Sequence, residues 1–281
     1  MKQNTTTKKI AAGILLTLSM SACAPNSSSF QAANVPASDE QNGSESTDTP
    51  QAVAPTVPSD NAEVSAFRLD EEAKKFKTRY GVDDVFTKLT DNRGKGVEEL
   101  WGTRNMRVVL QGVLYRGGAN NKYLATPRSN TNPLPKVGLT NLCKEDFGAA
   151  VYLYSENFDT APKTTNCKNT SHQDQTLNYK QYAASGEKEK ILAMVYDRIK
   201  GKINGPIYAH CWNGWHSSGL ISGIALKQFC NWSDAKADAY WVKNTDGNSD
   251  GFASIRKKLK DFKPLAKYAI TQEERDLICP K

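Results

Sequence analysis

One stretch constrains the architecture more than any other: "GPIYAHCWNGWHSSGLISGIALKQFC", residues Gly205 to Cys230. After Gly-Pro it reads as a short apolar strand. A loop holding Cys211 and Gly214 follows, then a run of small residues that opens a helix. That helix is apolar almost all round, which predicts burial on every side. A strand feeding straight into a buried helix requires packed layers above and below it. Three further segments read as strands from their β-branched and aromatic residues: "MRVVLQGVLYRGG", long enough for a hairpin, "GAAVYLYS" and "LNYKQYAA". Between and after them lie helical patterns. "GEKEKILAMVYDRIKGKI" places Ile191, Leu192, Val195 and Ile199 on one face, with acids early and bases late. "SDAKADAYWVKNT", "ASIRKKLKDF" and "QEERDLIC" are shorter, with Ser233 and Thr271 as N-caps. An early helix is expected near "AFRLDEEAKKFKTRYG". Strands separated by helices, followed by a helical C-terminal part, predict an α/β domain: a central sheet flanked by helices.

The N-terminal segment has a different character. Lys2, Lys8 and Lys9 precede "IAAGILLTLSM" and then "SAC". A basic start, a short apolar run and small residues before a cysteine describe an export signal. The run falls short of the roughly 20 apolar residues that span a bilayer. Around Cys23 it resembles a bacterial lipoprotein signal, with Met20-Ser21-Ala22 before the lipidated cysteine. Ala22-Cys23-Ala24 also fits ordinary cleavage at a small-x-small site, and lipidation is the reading that gives Cys23 a purpose. Residues 1–22 are therefore expected to be the signal. Residues 23–64, rich in Ser, Pro, Ala and acids and without Lys or Arg, are expected to be a flexible tether. Residues 65–281 form the domain. The implied location is a bacterial envelope, lipid-anchored, at the outer membrane facing the periplasm.

The formal net charge is +7. Setting aside three signal lysines and the six acids Asp39, Glu40, Glu45, Asp48, Asp60 and Glu63 leaves about +10 on the domain. Such a balance suits anionic lipid, polyanionic polymer or phosphate ligands, or simply a solvated basic surface. No nucleic-acid motif accompanies it. Of the cysteines beyond Cys23, five remain: Cys143, Cys167, Cys211, Cys230 and Cys279. In an oxidising compartment an odd number suggests two bridges and one free thiol. With Cys211 in the special loop, chain proximity pairs Cys143 with Cys167 and Cys230 with Cys279.

The loop has a physical logic of its own. Successive backbone N–H groups at a helix N-terminus make an anion nest, strengthened by the helix dipole. A cysteine at the mouth of such a nest is placed to act as a thiolate nucleophile. "GPIYAHCWNGWHSSG" resembles the active-site loop of cysteine-dependent phosphatases, the protein tyrosine and dual-specificity phosphatase superfamily. That pattern is His-Cys, five residues, Arg, then Ser or Thr and often Gly; His210, Cys211, Gly214, Ser218 and Gly219 fall on it. "GVLYRGGANN" and "FGAAVYLYS" resemble an early strand-turn and a core strand of the same group. The resemblance implies phosphate binding by residues 211–217 (Cys211, Trp212, Asn213, Gly214, Trp215, His216 and Ser217), loop ordering by His210, and assistance to the leaving thiolate by Ser218. It also implies a general acid from a loop before the active-site strand: Asp174 is the first candidate and Asp159 the second.

Position 217 departs from the pattern. The arginine expected there grips phosphate oxygens in a bidentate way that Ser217 cannot reproduce. Arg116 in the early strand-turn and the adjacent His216 are the candidate replacements. Trp212 and Trp215 flank the loop, as packing or as an aromatic lip for a ring-bearing or sugar ligand.

"DGNSDGFASIRK" starts like a calcium loop, with Asp246, Asn248, Asp250 and Gly251 in register, but Lys257 occupies the twelfth position where a bidentate Glu belongs. It reads as a polar turn before a helix. With three histidines and no zinc spacing, neither a metal nor a cofactor is expected. Three functional classes fit: a phosphoester hydrolase working through a phosphocysteine, a pseudophosphatase that binds an anionic or phosphorylated ligand or a partner without turnover, or a retained scaffold alone.

Overall fold

The computed structural model describes residues 66–129 and 131–280. Cys23, the expected signal and the expected tether lie outside the described residues.

A mixed six-stranded sheet forms the centre, flanked by seven helices among the described residues. The chain enters through α1 (Leu69–Tyr80) and makes the hairpin β1 (Thr103–Leu110) and β2 (Leu114–Ala119). Helix α2 (Lys136–Lys144), β3 (Ala149–Tyr152), β4 (Thr164–Lys168) and β5 (Asp174–Gln181) follow. Next come α3 (Lys188–Ile199), β6 (Ile207–Cys211) and α4 (His216–Cys230), then α5 (Asp234–Lys243), α6 (Ala253–Asp261) and α7 (Gln272–Ile278). The strand order is β1-β2-β6-β3-β5-β4. β2, β6, β3 and β5 run parallel, and β1 and β4 close the two edges antiparallel. The register puts Gly117 of β2 and Tyr152 of β3 beside His210, so β6 ends in the middle of the sheet's carboxyl edge.

Alternation along the strands divides the core in two. On one face Tyr115, Ala150, Tyr179 and Tyr208 pack with Phe76 of α1 and Leu139 and Leu142 of α2. On the other, Leu114, Val151, Ile207 and Ala209 pack against Ile191, Leu192 and Val195 of α3 and Ile221 and Ile224 of α4. Helix α4 is buried from Ser218 to Phe229, as its all-round apolar sequence requires.

Ser233 accepts from the Lys236 amide, and Thr271 forms a capping box with Glu274, so both expected caps are present. The disulfides are Cys143–Cys167 and Cys230–Cys279. The first fastens α2 to β4; the second fastens the end of α4 to the residue after α7. Cys211 is the free cysteine among the described residues.

Candidate functional site

Cys211 closes β6 at the floor of the loop and is 2% exposed. Around it, six consecutive carbonyls are held by donors from the scaffold. His210 Nδ1 donates to the Cys211 carbonyl (3.2 Å) and the Ala119 amide to that of Trp212 (3.1 Å). Asn105 Nδ2 donates to Asn213 (2.7 Å), Arg116 Nη2 to Gly214 and to Trp215 (3.1 Å), and Trp241 Nε1 to His216 (3.1 Å). A peptide N–H lies trans to the carbonyl of its own plane, so pinning the carbonyls turns the intervening amides away from those donors. The Trp215 side chain does not cap α4, which leaves the first-turn amides of the helix to other acceptors.

Gly214 is required for two reasons. Its φ is +77°, and a Cβ there would lie 2.6 Å from the Gly117 carbonyl carbon. The loop is thus pressed against the end of β2, which answers with Gly118 bridged to Asn213.

His210 is fully buried between two partners. The Tyr179 hydroxyl accepts from the Leu134 amide (3.0 Å) and lies 2.7 Å from His210 Nε2. Nδ1 faces a carbonyl and so carries the proton, and in the neutral ring Nε2 accepts the phenolic proton. Burial pushes its pKa down to about 3. Ser218, also buried, receives the Cys211 thiol (3.5 Å) and Arg116 Nη2 (3.2 Å) at its hydroxyl. A hydroxyl in that position can donate to the sulfur when the sulfur carries charge.

The two expected replacements for the missing loop arginine do other work. Arg116 is fully buried and reaches the carbonyl side of the loop, so it braces the loop from behind instead of gripping a ligand in front. His216 turns away: its Nε2 bonds the Asn248 carbonyl (2.7 Å) and its ring stacks on Phe252 at 3.6 Å. Burial lowers its pKa, which removes it as a cation. Ser217 lies beside the side chain of Tyr154, whose ring stacks on Trp212 at 4.4 Å. Trp212 Nε1 also donates to the Tyr152 hydroxyl (3.2 Å).

Asp174 is not at the site. It begins β5, with its side chain 87% exposed and paired with Lys168. Gln181, not Asp174, is level with His210. Seven residues of strand and two strand spacings set Asp174 about 25 Å from that level. Asp159 lies exposed in the connection that leaves the carboxyl edge after β3.

Sequence reasoning passed over two groups. Arg104, on β1, is 3% exposed, and its one side-chain hydrogen bond among the described residues runs to Asn92 Oδ1. Burial lowers its pKa, opposed by Tyr123, Tyr208 and the Cys211 sulfur, which places it within electrostatic reach of the thiol. Nε and Nη1 of Arg104, and the same atoms of Arg116, are buried without a hydrogen-bond partner among the described residues. A third buried arginine, Arg107, sits beside Arg116; burial and then that neighbouring charge push its pKa down to about 10. The signal was present in "TRNMRVVLQGVLYRGG" as three arginines on two strands, an unusual load for a core hairpin.

The second group is Asp246, which the calcium-like turn supplies. It accepts from Lys88 (2.8 Å), Arg107 (3.1 Å) and Trp215 Nε1 (3.1 Å), so the turn braces the loop. No cluster of three or more metal-ligating side chains occurs among the described residues. Of these three buried arginines Arg107 alone pairs with a carboxylate, so the charge of Arg104 and Arg116 lies unpaired beside the loop.

No family model matches the chain, and no curated protein matches its sequence. Among solved structures it is similar to TpbA of P. aeruginosa, at 13% identity and a TM-score of 0.36, over 57% of this chain and 85% of that one. It is also similar to the core catalytic domain of the PP-IP phosphatase SIW14 from S. cerevisiae, determined in complex with citrate. The identity there is 15% and the TM-score 0.36, over 57% of this chain and 86% of that one.

Proposed function

We propose that this chain is a phosphatase-like protein of the bacterial envelope, exported and anchored through Cys23, whose Cys211 loop binds phosphate monoesters. The observation that carries the reading is the buried surplus of positive charge. Arg104 and Arg116 flank the loop with unpartnered nitrogens and no carboxylate in hydrogen-bond contact. A buried ion left without a counter-ion is costly, and a bound dianion would offset that cost. Loop amides, the α4 N-terminus and the Arg104 guanidinium, with the charge of Arg116 behind the loop, together favour an oxyanion over a neutral ligand.

Hydrolysis is the second reading, favoured by the contact between Cys211 Sγ and Ser218 Oγ. The thiolate attacks phosphorus while the ester P–O bond breaks, and the leaving oxygen takes a proton from solvent water. Water then attacks the phosphocysteine, the P–S bond breaks, and Ser218 donates to the departing sulfur as phosphate is released.

Calorimetry with orthovanadate tests the binding reading. Saturable heat is expected, and its absence in both the parent and Cys211→Ser would refute it. Phosphate release from an aryl phosphate, lost in Cys211→Ser, selects hydrolysis; vanadate binding without release selects the binding module. The anchor has its own test, since Cys23→Ala should move the protein from the membrane to the soluble fraction.

A further inference from the structure

The turn before β1 extends the positive surface beyond the loop. Asp91 folds that turn, its Oδ1 accepting from the amides of Arg93 (2.7 Å) and Lys95 (2.9 Å). Asn92 Oδ1 takes both Arg104 Nη2 and Asn105 Nδ2, and Asn105 Nδ2 also holds the Asn213 carbonyl. The turn and the Cys211 loop are thus joined through two side-chain amides. On the outer side of that junction stands Tyr123. Its ring centroid is 5.9 Å from the Arg93 guanidinium, 5.7 Å from that of Arg104 and 5.6 Å from Lys122 Nζ.

An aromatic face attracts one cation well, but three around one ring repel each other. No carboxylate forms an ion pair with any of the three among the described residues; Asp91, the acid that Arg104 feels, is committed to its turn. Arg104 belongs to both groups: nearly fully buried, with two unpartnered nitrogens, it meets the Tyr123 ring and, through Asn92 and Asn105, is tied to the Cys211 loop.

We propose that Arg93, Arg104 and Lys122, gathered around Tyr123, form a second anion subsite beside the Cys211 loop, so that the preferred ligand is a small molecule carrying two phosphate groups. The proposal rests on the loop binding phosphate. One group occupies the loop and the other meets the cations at Tyr123, where the outer pair, Arg93 and Lys122, is exposed enough to admit it.

Calorimetric titration with fructose 6-phosphate, fructose 1,6-bisphosphate and inorganic phosphate tests it. The bisphosphate should bind about tenfold tighter than the monophosphate or better, the gain expected from added charge-assisted hydrogen bonds. In Arg93→Ala/Lys122→Ala, two surface changes, the ratio of the two dissociation constants should fall towards one. A ratio near one in the parent, or one that survives the double substitution, overturns the subsite. When inorganic phosphate still binds, that failure leaves the loop reading standing; when none of the three ligands binds, both readings fall.

Discussion

At the scale of single residues, the buried arginines separate structural from ligand-directed charge. Arg116 supplies donors to Gly214, Trp215 and Ser218, so Arg116→Met strands two loop carbonyls and should cost about 2–4 kcal/mol in denaturant melts. Arg104 donates to Asn92 alone, so Arg104→Met removes a desolvated charge at little structural cost. Its thermal midpoint in phosphate-free buffer should match or exceed the parent's, while the stabilisation by added phosphate shrinks. A lower midpoint with undiminished phosphate stabilisation would assign Arg104 to the fold instead. His210 makes a separate prediction. Its folded pKa of about 3 lies below the unfolded value near 6.5, so the unfolded chain takes up the proton first. The stability that the neutral ring supports is complete above about pH 6.5 and drains away as pH falls towards 3, at up to about 1.4 kcal/mol per pH unit. His210→Gln should flatten that part of the pH–stability curve.

At the scale of elements, the strand-loop-helix around Cys211, the hairpin and the capped C-terminal helices were legible, because each carries its period and punctuation in its own residues. Two elements were not. β4, "TTNCK", alternates between exposed and half-buried positions and has no apolar face to announce it; pairing with β5 and the Cys143–Cys167 bridge hold it in place. α2, "KVGLTNLCK", has a glycine in its first turn that allows close approach to Gly102, a packing reason invisible in the segment itself. The site was legible where backbone geometry decides, as at Gly214 and His210. It was not where distant segments converge: Arg104, Tyr154 and Asp246 reach the loop from three other parts of the chain. Asp174 misled because it lies in the right interval of sequence but at the wrong end of β5. The bridges carry the element-scale prediction. They close separations of 24 and 49 residues, so removing either should cost about 2–4 kcal/mol, the longer by roughly half a kcal/mol more. Loss of Cys230–Cys279 should also speed hydrogen exchange across α7, whose one buried residue is Ile278. Unchanged exchange there would mean that the bridge does not hold the helix.

At the scale of the whole molecule, the sheet brings β2 and β3 to either side of β6, and their carboxyl ends surround the Cys211 loop with the aromatic pair Trp212–Tyr154 on one flank and buried arginines on the other. The turn at Asp246 ties the helical C-terminal part to the same loop through Trp215 and His216. The sheet and the helical C-terminal part thus both brace one short segment, an arrangement suited to holding an anion against a sulfur. The rate at which alkylating reagents modify Cys211, followed by mass spectrometry of its peptide, tests that claim most directly. Anionic iodoacetate should react faster than neutral iodoacetamide, and inorganic phosphate should slow it competitively. Equal or reversed rates with no protection by phosphate would contradict it.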